Sequence, residues 1–180
     1  MSPDPSRAQI VVMGVAGSGK TTFGEALGAR LGLRYADADG FHPQANIDKM
    51  AAGNPLTDVD RWPWRDAISE WLGSYADTGA IVNCSALRRA YRDRLRAAAP
   101  DAVLVHVAGP QAVVQERLDA RRDHFMPPSL LQSQYDTLEP LEPEERGVTL
   151  DVRRSVPALV EAYVEWADAS TATSTQPPQP

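Results

Sequence analysis

Residues 10 to 22 constrain this chain more than any other stretch. Ile10-Val11-Val12-Met13 is an apolar, largely β-branched run, and from Gly14 the spacing is G-x-x-x-x-G-K-T, ending at Thr21. Phe23 to Leu31 then reads as a helix. Strand, glycine loop and helix in that order are the setting a phosphate-binding P-loop requires. The loop residues Gly14, Val15, Ala16, Gly17, Ser18 and Gly19 leave room for backbone N–H groups to turn around a polyphosphate. The helix that follows, opening with Lys20, Thr21 and Thr22, adds free N–H groups and its positive dipole end. Lys20 can reach the β- and γ-phosphates, and the Thr21 hydroxyl can ligate Mg²⁺. The expected ligand is a nucleoside triphosphate, read as ATP with Mg²⁺.

The rest of the chain supplies the frame for such a loop. Further strand-like runs lie at Leu33–Ala36, Ala80–Asn83, Val103–Val107 and Val148–Val152, with helical patterns between them. This alternation predicts an α/β fold, a five-stranded parallel sheet covered by helices on both faces. At 180 residues there is room for one such domain, expected over residues 8–168 between a flexible N-terminus (1–7) and a disordered Ser/Thr/Gln/Pro tail (169–180). Two connections exceed plain crossovers: Asp37 to about Arg61, expected as a helical insertion over about 40–60, and a proline-rich segment over about 121–145, expected as a lid. Both belong at the carboxyl ends of the strands, where ligands bind in such sheets.

Composition excludes several classes. A net charge of −6 disfavours a broad nucleic-acid surface. One cysteine rules out an internal disulfide and fits a reducing compartment. No stretch approaches the roughly 20 apolar residues of a membrane span, and the first residues lack a signal peptide's apolar core. The expectation is a cytoplasmic protein.

The carboxylates narrow the kind of P-loop protein. The third strand ends Ile81-Val82-Asn83-Cys84-Ser85 and the fourth Val105-His106-Val107-Ala108-Gly109, so neither carries the strand-end aspartate of most ATPases and GTPases. There is no Asn-Lys-x-Asp guanine signature. The acidic pair follows the second strand instead, as Asp37-Ala38-Asp39. Read as an extended strand end, Asp37 and Asp39 point the same way toward the phosphates, one for the magnesium shell and one for an attacking hydroxyl. The alternative is a cap or turn pair before Gly40. Beside a P-loop the pair favours small-molecule phosphotransfer over a nucleotide switch.

Three further stretches resemble the gluconokinases, P-loop small-molecule kinases related to shikimate and adenylate kinases. They are Asp37-Ala38-Asp39-Gly40-Phe41-His42-Pro43 running on through Asn46-Ile47-Asp48-Lys49-Met50 to Asp60-Arg61-Trp62-Pro63-Trp64, then Cys84-Ser85-Ala86-Leu87-Arg88-Arg89, and His124-Phe125-Met126-Pro127 with Leu130 to Pro140. Gly40 stands where a larger residue is common, and Arg65 where an apolar one is common. The resemblance implies phosphorylation of D-gluconate at its 6-hydroxyl by ATP, in a homodimer. Kinases of shikimate or a nucleoside monophosphate, and a non-catalytic ATP-binding module, remain the alternatives.

The resemblance also implies roles. Asp39 is the base or orienter of the hydroxyl, Asp37 the outer magnesium group, and Arg61 the carboxylate grip. His42, Lys49 and Arg88 are candidate substrate contacts. Three of these have a plain alternative: Arg61 as a surface residue opening a helix at Trp62–Tyr75, His42 as structural, Lys49 as solvated. Arg88 and Arg92, four apart, are expected on one helix face, with Arg92 paired to an acid. Arg121 is the expected lid arginine for the transferring phosphate, and Arg117 a nucleotide contact. Arg122, His124 and Phe125 are expected to belong to the lid. Trp62 and Pro63 read as a helix start, Trp64 and Trp71 as a packing stripe, Cys84 as small and buried, and Met13 and Met50 as packing.

Overall fold

The computed structural model describes residues 7–121 and 127–173, so Arg122, His124 and Phe125 lie outside the described residues. The strands are β1 (Gln9–Met13), β2 (Arg34–Asp37), β3 (Ala80–Asn83), β4 (Val103–Ala108) and β5 (Gly147–Asp151). They form one sheet in the order β2-β3-β1-β4-β5, and every adjacent pair is parallel. The helices are α1 (Lys20–Leu31), α2 (Gln44–Ala51), α3 (Asp58–Gly73), α4 (Arg89–Leu95), α5 (Gln111–Asp119), α6 (Pro128–Thr137) and α7 (Val156–Thr173).

Two-residue alternation along β1 builds a core on each face of the sheet. Ile10 and Val12 join Phe23 and Leu27 of α1, Val114 and Leu118 of α5, Leu131 of α6 and Tyr163 of α7. Val11 and Met13 point the other way, into Ile68 and Leu72 of α3 and Leu95 of α4. The three-layer architecture is therefore as the sequence predicts.

Several local expectations are corrected. The helix expected from Trp62 begins at Asp58, because Thr57 and Asp60 form a capping box: the Asp60 carboxylate accepts from the Thr57 amide at 2.7 Å, and the Thr57 hydroxyl accepts from the Asp60 amide at 3.4 Å. Pro63 consequently lies inside α3 rather than at its start, and Arg61 sits a full turn in. Arg88 is the extended residue preceding α4 (φ −108°, ψ 150°), so Arg88 and Arg92 do not share a helix face. Met13 is fully buried, but Met50 is exposed on α2. At the other end α7 continues to Thr173, its Ser170 and Thr171 hydroxyls bonded back to the Trp166 and Ala167 carbonyls, so the tail expected from residue 169 begins as helix.

Arg92 is fully buried and holds two distant segments together. Its Nε and Nη2 donate to the Glu145 carboxylate at 2.7 and 2.8 Å, and Nη1 donates to the carbonyls of Glu139 (3.0 Å), Ala86 (3.3 Å) and Leu87 (3.4 Å). Burial alone would raise the Glu145 pKa, but bonding to Arg92 and to the Glu142 amide brings it below its ordinary value. Ala86, held here, adopts a left-handed conformation (φ 46°) that a non-glycine residue keeps only when its surroundings enforce it. Removing one partner strands a buried charge, so Arg92→Ala should destabilise the fold by about 3–5 kcal/mol. Urea denaturation measures this; a loss no larger than the ~1 kcal/mol of an exposed pair would show that the bridge is not structural.

Candidate active site

The phosphate loop is built by close approach. Gly14 has φ +147°, and a Cβ there would lie 2.7 Å from the Val107 carbonyl oxygen; one at Gly17 (φ +77°) would overlap Leu118 of α5. The loop thus packs down on β4 and α5 and turns its amides outward. The Gly14 amide donates to the Ser85 carbonyl (3.2 Å), fastening the loop to the tail of β3. Gly19 precedes α1 with no side-chain cap, leaving the first-turn N–H groups of α1 for an anion. The Ser18 hydroxyl is buried beside Gly14 without a hydrogen-bond partner among the described residues.

Asn83 organises the acidic side. Because β3 lies between β1 and β2 in register, Asn83 pairs with Asp37 on one side and Val12 on the other. Its Nδ2 donates to the Thr21 hydroxyl (3.0 Å) and to Asp37 Oδ2 (3.1 Å), and its Oδ1 accepts from the Ala38 amide (3.2 Å). Thr21 and Asp37 therefore face one point from two elements. The strand stops at Asp37, which caps a turn of 3₁₀ helix (Ala38–Phe41) by accepting from the Asp39 amide at 2.9 Å. The expected extended arrangement of the pair is corrected accordingly: one oxygen of Asp37 caps the turn that carries Asp39 and the other accepts from Asn83. The turn nonetheless keeps Asp39 in the same 290 Å³ hollow as Lys20, Thr21, Asp37 and Arg121.

A second cavity of about 530 Å³ adjoins this hollow, the two sharing Trp64, Cys84 and Ser85 as walls. Arg61, Arg65 and Arg88 line it, with Asp58, Tyr91 and Gln134. Asp58 is engaged, accepting from the Tyr91 hydroxyl at 2.8 Å and lying 3.9 Å from Arg61. Gln134 of α6 spans both sites: its side-chain oxygen accepts from the Ala16 amide of the loop at 2.7 Å.

The sequence-predicted residues divide into two groups. Lys20, Thr21, Asp37, Asp39 and Arg121 converge on the phosphate hollow, and Arg61 and Arg88 line the adjoining cavity. His42 and Lys49 do not line that cavity. His42 stacks on Trp64 (ring centroids 4.6 Å apart), and Lys49 pairs with Asp60 at 2.7 Å, tying α2 to the capping box of α3. Arg117 donates to the Val152 carbonyl beyond β5. Asn83, Gln134, Trp64 and Arg65 were missed as site residues. Gln134 lies within a stretch that carries the family resemblance, but no spacing rule links it to a loop 118 residues away. Trp64 reads as core by its stripe with Trp71, yet its indole N–H donates to the Ala38 carbonyl (2.6 Å) and its ring walls both cavities.

Burial lowers the Lys20 pKa to about 8; Cys84, Asp37 and Asp39 oppose the shift and Arg121 reinforces it. Burial pushes the Cys84 thiol up to about 11, which leaves it a packing group. Lys20 Nζ donates to the Val15 carbonyl (2.9 Å), under the loop. Bound phosphates favour the ammonium form, so nucleotide affinity should fall as pH rises through about 8, approaching tenfold per pH unit. Calorimetric titration with ATP between about pH 7 and pH 9.5 measures this. Lys20→Met should bind weakly with a flat profile, and a flat wild-type profile would remove the buried-lysine account.

Comparison with known proteins identifies the family. A family model described as an AAA domain matches residues 10–141. A gluconokinase of Gluconobacter oxydans is 46% identical over 132 residues, covering 72% of this chain and 74% of that protein. The solved structure of a gluconokinase from Sinorhizobium meliloti superposes with a TM-score of 0.82 at 43% identity, over 93% of this chain and 95% of that one. A sugar kinase structure from a Janibacter species does so at 0.80 and 47% identity, over 94% and 99%. The chain belongs to the gluconokinase family of P-loop kinases.

Proposed function

We propose that this chain transfers the γ-phosphoryl group of ATP to D-gluconate at its primary 6-hydroxyl, giving 6-phospho-D-gluconate. Relatives matching most of the chain carry the gluconokinase name. The single structural observation that carries the reading is the cation-lined cavity sharing its wall with the phosphate hollow. A small polyhydroxy anion needs a cationic end and a hydroxyl end placed at the phosphate, and this arrangement supplies both.

In this reading the phosphates of ATP lie on the amides of Gly14 to Thr22 and on Lys20. Arg61 and Arg88 hold the gluconate carboxylate and neighbouring hydroxyls. The 6-hydroxyl then faces Asp39, which orients it and accepts its proton as the new P–O bond forms. Lys20 and Arg121 neutralise charge as the phosphoryl group moves. The Ala16 amide exchanges the Gln134 oxygen for a phosphate oxygen when nucleotide enters. His42 and Lys49 support the wall, His42 through Trp64 and Lys49 through Asp60. Arg117, on the Val152 carbonyl, belongs to the adenine side.

The oxygens of Thr21 and Asp37, brought together by Asn83, fit a magnesium ion that keeps several waters. When bound, such an ion neutralises the phosphate oxygens. The reading includes a single kinase domain, with the insertion over about 40–60 covering the acceptor; within the segment of about 121–145 expected as a lid, Leu131 is fully buried and Glu145 is held by Arg92, so α6 and the residues after it are fixed parts of the fold. It also includes a homodimer and a cytoplasmic location; no helix among the described residues is long and apolar enough to cross a membrane.

ATP consumption with gluconate, shikimate, AMP and no acceptor tests the assignment. Gluconate alone should support turnover. Turnover with another acceptor would discard the pocket reading, and binding without turnover would favour a regulatory module. Asp39→Asn should keep ATP binding and lose about 10²–10⁴-fold in kcat; unchanged turnover would remove Asp39 from the chemistry.

A further inference from the structure

Arg65 stands on α3 where the resemblance leads one to expect an apolar residue, and it is 96% buried by residue, with a relative exposure of 4%. Its guanidinium lies face-on to Tyr91, 3.6 Å from the ring centroid, with Trp62 at 4.9 Å and Trp64 at 5.8 Å. Aromatic faces attract a cation but accept none of its in-plane N–H groups. Nη1 is shielded from water and has no hydrogen-bond partner among the described residues. A buried donor left unmade is costly, and more so on a charged group. An apolar side chain would fill the same aromatic box without that cost.

Among the described residues, Arg65 lines the acceptor cavity with Arg61 and Arg88, against the one carboxylate of Asp58, which the Tyr91 hydroxyl and Arg61 already engage. The described lining therefore carries cations in excess of its anions, and the cations of the phosphate hollow, Lys20 and Arg121, are separate from them. Stacking on Tyr91 fixes the plane of the guanidinium and so lowers the ordering cost of a bidentate contact with a planar anion.

We propose that Arg65 is a second carboxylate-binding cation of the acceptor cavity, acting beside Arg61 and sharpening this chain's preference for an anionic acceptor over its neutral analogue. The inference rests on the gluconate reading and adds a specificity residue to it. Because the carboxylate lies at the far end of the acceptor from the reacting hydroxyl, Arg65 grips ground state and transition state alike. Its loss is felt in KM rather than in kcat.

The test compares gluconate with its neutral amide as acceptors for the wild type, Arg65→Met and Arg65→Lys. Arg65→Met should raise KM for gluconate roughly ten- to a hundredfold with kcat and the KM for ATP nearly unchanged. Its KM for the amide should stay near wild type, so the preference for the anion collapses, and Arg65→Lys should fall between. Equal losses on both acceptors, or an unchanged KM for gluconate, would reduce Arg65 to a packing residue and overturn the inference. Should the methionine variant not fold, the lysine variant and the wild-type preference decide. A wild-type preference below roughly tenfold would also overturn it. A wild type that phosphorylates another acceptor and not gluconate is a failure of the functional reading, visible before any variant is made.

Discussion

The site depends on one constraint of the sheet: β3 lies between β1 and β2. Chain order alone would set β2 beside β1. With β3 inserted in parallel register, Asn83 falls level with Asp37 on one neighbour and Val12 on the other, one residue short of the end of β1. An amide side chain, with two donors and an acceptor, can then bridge the Thr21 hydroxyl, the Asp37 carboxylate and the Ala38 amide at once. An aspartate at position 83 could accept from the Ala38 amide but donate to neither Thr21 nor Asp37. The strand beside the loop thus ends in an amide at Asn83, and the carboxylate level with it, Asp37, stands one strand further out.

The acceptor side depends on a different device. The cavity wall at Ala86 and Leu87 is irregular backbone, and irregular backbone next to a site must be held. The fully buried Arg92 does so, joining that wall to Glu139, Pro140 and Glu145, while Leu138 packs against both cores. On the opposite wall, α3 starts early enough for Arg61, Trp64 and Arg65 to reach the cavity from successive turns. The capping box at Thr57 and Asp60 sets that start, and Lys49 ties α2 to it. Loop, asparagine bridge and arginine brace thus place two hollows with a common wall.

Much of this was legible from residues alone, for local reasons. The P-loop is a contiguous pattern whose glycines answer close contacts with β4 and α5, and five apolar runs gave all five strands to within a residue or two. The acidic pair was legible as chemistry but not as geometry, since Asp37 stops β2 by capping the turn that carries Asp39. The start of α3 was misplaced because Pro63 reads as an opening residue, whereas the local hydrogen bonds of Thr57 and Asp60 start the helix at Asp58, four residues before Trp62. Lys49 and His42 drew attention as a charge and a ring in a binding loop, and packing turned both toward structural partners.

The sequence by itself determined the loop, the alternation that makes a parallel sheet, and the family, because each of these is written in residues close together along the chain. Only the tertiary structure decided which distant residues meet. Gln134 reaches the Ala16 amide, Glu145 neutralises Arg92, and Tyr91 and Trp62 enclose Arg65. Such partners are chosen by strand order and by the crossing of helices over the sheet, and no spacing in the chain records them. A buried guanidinium with an unbonded Nη1 is invisible in a string of letters, where Arg65 reads only as a charge at a position where an apolar residue is common. Its meaning comes from the desolvation that the fold imposes on it.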